Sequence, residues 1–317
     1  AIQAKCAGKT GTVEEEAKPS TQLSPLLYDL TSLQREANGR FGFSARVTLQ
    51  IAQALYEKHK VLTYPRTDAR ALPEDYLPTV NDVLARLPHT YAPHANEIVK
   101  QGWVRPNKRI FNNAKISDHF AIIPTGTEPK SLSEAEAKIY DMVTRRFLAV
   151  FFPAAEYRVT TRITRVEGEA FKTEGKVLVN AGWLAVYGKE AQLEEDGKGG
   201  ETAAASLVPV KPGESARVED MLLKALQTKP PARYSEATLL TAMEGAGKTI
   251  DDEELRAAMA GRGLGTPATR AQIIENLILE NYMLREGREL IPTAKGFQLM
   301  IALRGLKIDE LSSPELT

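Results

Sequence analysis

Cysteine, histidine and tryptophan are scarce: one, four and two residues among 317. With Cys6 alone, no intrachain disulfide can form, which excludes a disulfide-stapled secreted module and fits a reducing compartment. The histidines, His59, His89, His94 and His119, have no zinc-type spacing, and one cysteine cannot complete such a site. No run approaches the ~18 apolar residues of a membrane span. The longest, such as Phe147 to Phe152, are short. Residues 1–12 lack the apolar core of a signal peptide. There is no excess charge of either sign, since 41 basic and 41 acidic residues cancel. That excludes a bulk basic tail as the means of holding nucleic acid and leaves a local basic groove open.

What is present fits a folded chain of two or three domains, with 43% hydrophobic and 26% charged residues. The sequence does not begin with Met and stops at Ser312-Ser313-Pro314-Glu315-Leu316-Thr317, so it reads as a piece of a longer protein. Residues 1–25 are polar, with Glu14-Glu15-Glu16, Pro19 and Pro25, and read as an edge segment followed by a linker. A helical block runs to about 150. In it, Ser44 to Lys58 carries Val47, Ile51, Ala54 and Leu55 at helical spacing behind a Ser44 cap. Leu132 to Phe152 opens with the capping-box spacing of Ser133 and Glu136. A β block follows Pro153, with alternation over Glu156–Val166 and β-type runs at 177–179 and 183–187. Glu190 to Ala205 reads as an exposed loop, and Ser215 to Gln227 as a resumed strand. Helical patterns return over 236–244, 253–260 and 268–281. Charge is uneven within the neutral total. Residues 35–70 hold seven bases against three acids, while 190–260 hold 14 acids against eight bases.

Four stretches could carry chemistry. In Leu62-Thr63-Tyr64-Pro65-Arg66-Thr67-Asp68, Pro65 biases Tyr64 toward an extended backbone, which would put Tyr64, Arg66 and Asp68 on one face. A phenol is a poor nucleophile near neutrality unless its anion is stabilised, and an adjacent guanidinium can do that while gripping a phosphate. The bland alternative is a buried tyrosine beside a surface salt bridge. In Lys115-Ile116-Ser117-Asp118-His119, the histidine could donate to a phosphate or simply sit in a turn. Gly245-Ala246-Gly247-Lys248-Thr249 resembles a phosphate loop, but helical residues precede it and Asp251-Asp252-Glu253-Glu254 follow, so it reads as a helix terminus. Gly263-Leu264-Gly265-Thr266-Pro267-Ala268-Thr269-Arg270 opens a helix with its backbone N–H groups available to an anion.

Taken in order, these strings resemble the bacterial type IA DNA topoisomerases, particularly the topoisomerase III branch. They are joined by Tyr28-Asp-Leu-Thr-Ser-Leu-Gln-Arg-Glu-Ala-Asn38, Arg40-Phe-Gly-Phe-Ser-Ala45, the run through Ala-Ile-Ile-Pro-Thr125, and Pro230-Pro-Ala-Arg-Tyr-Ser-Glu-Ala-Thr-Leu-Leu240. The resemblance covers nearly the whole chain. It implies a mixed α and β, multidomain fold, with a helical tyrosine domain inserted in a β arch and a helical base domain. Residues 1–25 and 154–228 would form the arch, 26–153 the tyrosine domain, and 229–317 part of the base. It further implies that Tyr64 attacks a DNA phosphodiester to leave a 5′-phosphotyrosine, with Arg66 and His119 on the scissile phosphate. Arg40, Asp68, Arg109, Lys115, Thr269 and Arg270 would lie along single-stranded DNA.

The family's Toprim domain, with its acidic Mg²⁺ cluster, has no counterpart string here; Glu16-Ala-Lys-Pro-Ser20 only faintly echoes its opening motif. The chain is therefore expected to begin after that domain, to hold no metal itself, and to be inactive alone. Its expected partners are single-stranded DNA and the Toprim domain of the same polypeptide, in the cytoplasm at the nucleoid, with no membrane. The rivals are a single-strand holder in which Tyr64 only stacks, an ATPase using Lys248, and a tyrosine recombinase, whose C-terminal tyrosine this order lacks.

Overall fold

The structure, a computed structural model, describes residues 1–188, 207–208, 210–211, 213–250, 253–259 and 263–308. The loop expected at 190–205, the acidic pair 251–252 and the terminal 312–317 lie outside the described residues. In chain order the elements are α1 (Ile2–Cys6), β1 (Thr10–Gln22), α2 (Leu30–Phe41), α3 (Ala45–Glu57), α4 (Leu77–Arg86), α5 (Ala92–Lys100) and α6 (Glu134–Ala149). Then come β2 (Ala155–Val166), β3 (Glu169–Asn180), β4 (Ser215–Arg217), α7 (Glu236–Glu244), α8 (Glu253–Met259), α9 (Pro267–Leu279), β5 (Met283–Glu286), β6 (Glu289–Pro292) and α10 (Ala294–Gly305). The chain divides into two compact units, one of 1–25 with 149–230, the other of 26–148 with 231–317. The two helical blocks expected as separate domains thus cluster together.

The first unit is built on an antiparallel sheet ordered β3-β2-β1-β4. Residues 10–12 of β1 pair with β4 and residues 12–22 with β2, so over 13–22 β1 has β2 alone among the described residues and is an edge, as the sequence suggested. That β1 is a strand at all was not visible in the sequence. Most of β1 is exposed, so its side chains show no apolar alternation. Pro19 is tolerated because β1 has only β2 beside it there, leaving one side without a ladder to feed. Gly11 has no such latitude, since a Cβ there would lie 2.2 Å from the Arg165 carbonyl oxygen. Two further corrections concern the β block. Residues 182–186 form a 3₁₀ turn rather than a strand, anchored where Trp183 Nε1 donates to the Gln22 carbonyl at 2.9 Å. The strand expected over 215–227 is only β4, and 218–230 has no regular structure.

In the second unit, one core gathers Tyr28, Leu33, Leu55, Leu62, Ile122 and Ile139 with their neighbours from α2, α3 and α6. A second joins Ala45 at the start of α3 to Leu240, Met243, Ala271 and Ile274 of α7 and α9. Local signals explain the helix ends. Asp29 and Ser32 form a reciprocal cap on α2, Ser44 accepts from Val47 N–H on α3, and Ser133 with Glu136 closes the expected box on α6. The stripe on α3 is rotated from the expected one. Ala45, Thr48, Ala52 and Leu55 face inward, while Val47 is 40% exposed. Thr48 can be buried because its hydroxyl donates to the Ser44 carbonyl at 3.0 Å. The β5–β6 hairpin follows the last expected helical stretch, where no strand had been read; its turn holds Gly287 at φ +59°.

Candidate active site

The tyrosine segment is stitched to the histidine segment. Thr63 N–H donates to the Ile123 carbonyl at 3.0 Å, its hydroxyl donates to the Ala121 carbonyl at 3.1 Å, and Thr67 Oγ1 donates to the His119 carbonyl at 2.9 Å. Leu62 and Pro124 make an antiparallel bridge. Fifty-odd residues of sequence separation are thereby closed, and the Tyr64 and His119 rings meet at 4.3 Å between centroids. Tyr56 of α3 packs edge-on against the other side of Tyr64, at 5.4 Å and 81°. Tyr64 is half-buried, whereas Arg66, Asp68 and His119 are exposed.

A small cleft of about 150 Å³ adjoins these residues. Arg66, Asp68, Ser117 and His119 form one wall, and Thr266 with Ala268 at the start of α9 the other. Arg66 is held from α3: Gln53 Oε1 accepts from its Nε and Nη2 at 3.2 and 3.1 Å, and Gln53 Nε2 donates to Glu57 at 2.7 Å. Asp68 accepts from the Ser117 hydroxyl at 3.1 Å. A larger cavity of about 830 Å³ continues from Asp68 and Ser117 toward Asp29, Glu244, Lys115 and Arg270. On the other side of Arg66, α3 and α9 enclose a groove of about 800 Å³.

The remaining expected site residues divide. Lys115 and Thr269 line cavities, but the Thr269 hydroxyl is occupied, accepting from Thr266 N–H at 2.9 Å. Arg270 is buried and bonded to Thr31 Oγ1 at 3.0 Å and to the Leu264 carbonyl, and burial lowers its pKa from the ordinary arginine value. Arg40 pairs with Glu36 and stacks on Phe41, and Arg109 stands near Arg70; neither lines these three cavities. Sequence reasoning missed Gln53, Tyr56, Asp29 and Glu244. Gln53 and Tyr56 were legible only as positions on α3, because nothing in the string 44–58 shows which face meets Tyr64. Lys248 follows a helix and sits in a 3₁₀ turn, not between a buried strand and a helix.

The donors do not fit a Mg²⁺ centre. Among the described residues no three His, Cys, Asp or Glu side chains gather around a common point. Asp29 and Glu244 share a cavity with Asp68, yet Asp29 caps α2 and Glu244 pairs with Arg35 at 2.6 Å. What the arrangement can do is hold an anion at Arg66 and His119, beside a tyrosine ring that contacts both His119 and Tyr56.

A tyrosine, an arginine and a histidine thus lie close together on a chain that also builds a long antiparallel sheet. Structural similarity gives the class: a topoisomerase-type fold. The chain matches the full-length topoisomerase I of Thermotoga maritima with a TM-score of 0.68 and 23% identity, covering 97% of this chain and 46% of that one. The chain belongs to the DNA topoisomerase family, whose sequence model matches residues 1–317. It is 42% identical to DNA topoisomerase 3 of Bacillus subtilis over 98% of its own length, and 42% identical to that of Bacillus cereus over 96%. It spans 42% of the length of each of these relatives. No helix among the described residues is long and apolar enough to cross a membrane.

Proposed function

We propose that this chain carries the tyrosyl-transfer half of a type IA topoisomerase, cutting one DNA strand transiently so that another can pass. The Tyr64 oxygen attacks a phosphodiester phosphorus. The bond from phosphorus to the 3′ oxygen breaks, the 3′ oxygen leaves and takes up a proton, and the 5′ phosphate remains on the tyrosine. Arg66 neutralises the non-bridging oxygens and His119 donates to one of them, as in-line displacement requires. The observation that carries this reading is the stitching of 61–72 to 119–125. It supports the reading by bringing Arg66 and His119 to one cleft, with the Tyr64 ring packed against the imidazole.

In this reading Mg²⁺ and the remaining proton transfer come from a Toprim domain outside this stretch. The 317-residue chain alone binds single-stranded DNA and does not relax supercoiled plasmid. The test is to add Mg²⁺ and a separately prepared Toprim domain to the chain with 3′-labelled single-stranded DNA, then denature with SDS. Label carried by the chain and lost in Tyr64→Phe supports the reading. Mg²⁺-dependent plasmid relaxation by the chain alone contradicts the half-enzyme part of it.

A further inference from the structure

Residues 26–30, the first of the helical unit, are bonded to both segments that build the cleft. Tyr28 bridges Ile122 in antiparallel fashion, its carbonyl accepting the Ile122 N–H at 2.8 Å. Leu30 N–H donates to the Thr67 carbonyl at 3.0 Å, and the Leu27 carbonyl accepts from Arg70 Nε at 3.1 Å. This strap therefore grips the tyrosine segment next to Arg66 and the histidine segment just beyond His119. Apart from the Tyr28 bridge, residues 26–29 have no regular structure, so what fixes them lies outside the strap. Arg146 fixes them from α6. Its side chain is buried; Nη1 donates to the Leu26 carbonyl at 3.1 Å, and Nη2 donates to the Tyr28 hydroxyl at 2.9 Å and to Glu36 of α2. The guanidinium carbon also lies 4.1 Å from the centre of the Tyr28 ring. Glu36 supplies the counter-charge that a buried cation requires. A planar fork of N–H donors can hold a carbonyl, a hydroxyl and a carboxylate together, which an ammonium cannot match.

We infer that Arg146 is a positioning residue of the cleavage site. It lines none of the three cavities around Arg66 and acts through the strap. The guanidinium holds Leu26 and Tyr28, the strap holds Thr67 and Ile122, and these carry Arg66 and His119 in register. A small misplacement of either group spoils the alignment that in-line displacement needs. This rests on the reading of Tyr64, Arg66 and His119 as the cleavage site, and adds what holds the last two in place.

The experiment pairs two readouts on the whole chain. Arg146→Lys keeps a charge beside Glu36 and loses the fork. By amide hydrogen exchange, it is expected to speed exchange at Leu30 and Ile122 about tenfold while leaving Leu55 of α3 unchanged. With Mg²⁺ and a separately prepared Toprim domain added, it is expected to slow Tyr64 adduct formation about tenfold at saturating oligothymidylate, with the Kd for that oligonucleotide held within about twofold. Tyr28→Phe removes one acceptor and keeps the ring. It is expected to show the same pattern at about threefold, and it carries the test if the lysine variant does not fold. Leu84→Ala, at a buried position on α4, lowers Tm and moves neither readout. Exchange that rises equally at Leu55, or a strap that stays protected, overturns the clamp. A loosened strap with an unchanged adduct rate overturns the positioning role. If the unsubstituted chain forms no adduct, the cleavage reading falls and the positioning role with it, while exchange still decides whether Arg146 holds the strap.

Discussion

The sheet unit and the helical unit hold themselves together differently, and the difference explains where chemistry can be placed. Along β1 and β3 most residues are exposed, and order comes from the backbone ladder with a few buried anchors such as Val13 of β1 and Tyr157 and Val166 of β2. In the helical unit, Leu30, Leu33, Leu55, Leu62 and Ile139 are fully buried, and the tyrosine and histidine segments are bonded to each other above that core. A cleft that must hold a phenol and a guanidinium in register needs packed support, which the helical unit supplies.

The largest contrast is in stability. Leu33→Ala or Leu55→Ala is expected to cost about 2–5 kcal/mol, because the deleted methyl groups leave a cavity. Val179→Ala, at a residue 60% exposed in β3, is expected to cost under ~0.5 kcal/mol. Urea denaturation of the three variants measures this, and similar losses would erase the distinction.

Glu236 gives the next effect. It is buried, accepts the Ala45 N–H at 2.7 Å, and pairs with Arg285 at 2.6 Å, so one carboxylate ties the starts of α3 and α7 to the hairpin. Glu236→Gln is expected to cost about 1–2 kcal/mol by weakening the bonds to Ala45 and Arg285, because Arg285 is partly exposed and keeps Glu275 as a counter-charge. The Tm of the variant against wild type reads it.

Gln53→Ala sharpens the contrast from the functional side. Losing the two bonds to Arg66 is expected to lower Tyr64 adduct yield about tenfold in the complemented reaction through misplacement of the guanidinium. The side chain is only partly buried, so Tm should hardly move. Equal adduct yields would show that Arg66 does not need Gln53.

The smallest effect is in pH dependence. Burial pushes the Asp29 carboxyl above its ordinary range, against the bonds from Ser32 that favour the anion. The folded state therefore holds the proton more tightly than the unfolded chain. The stability this contributes is full below the unfolded value of about 3.9 and is lost as pH rises through the folded value. Asp29→Asn keeps an N-cap acceptor and is expected to flatten that decline above about pH 4. A variant with the wild-type pH slope would assign the decline elsewhere.

Much of the fold was legible in residues that act locally. Ser44, Ser133 and Glu136 announce their helices because capping depends on near neighbours. The strand content of β2 shows in its alternation around Tyr157 and Val159. Three features were hidden because their cause is tertiary. β1 is a long strand despite an exposed, polar sequence; 182–186 turns, with Trp183 anchored at Gln22; and α3 buries Thr48 rather than Val47. The site divides in the same way. Tyr64, Arg66 and His119 carry their chemistry in their own strings, but the closeness of Tyr56 and Gln53 exists only once α3 packs.

The most direct test of the account is to locate the covalent bond. The chain, a Toprim domain of the family, Mg²⁺ and single-stranded DNA are combined, the adduct is trapped with SDS, and the digested protein is mapped by mass spectrometry. The account predicts a nucleotide on the oxygen of Tyr64 and on no other residue, with none in Tyr64→Phe. A nucleotide on another side chain, or an adduct that survives Tyr64→Phe, contradicts it.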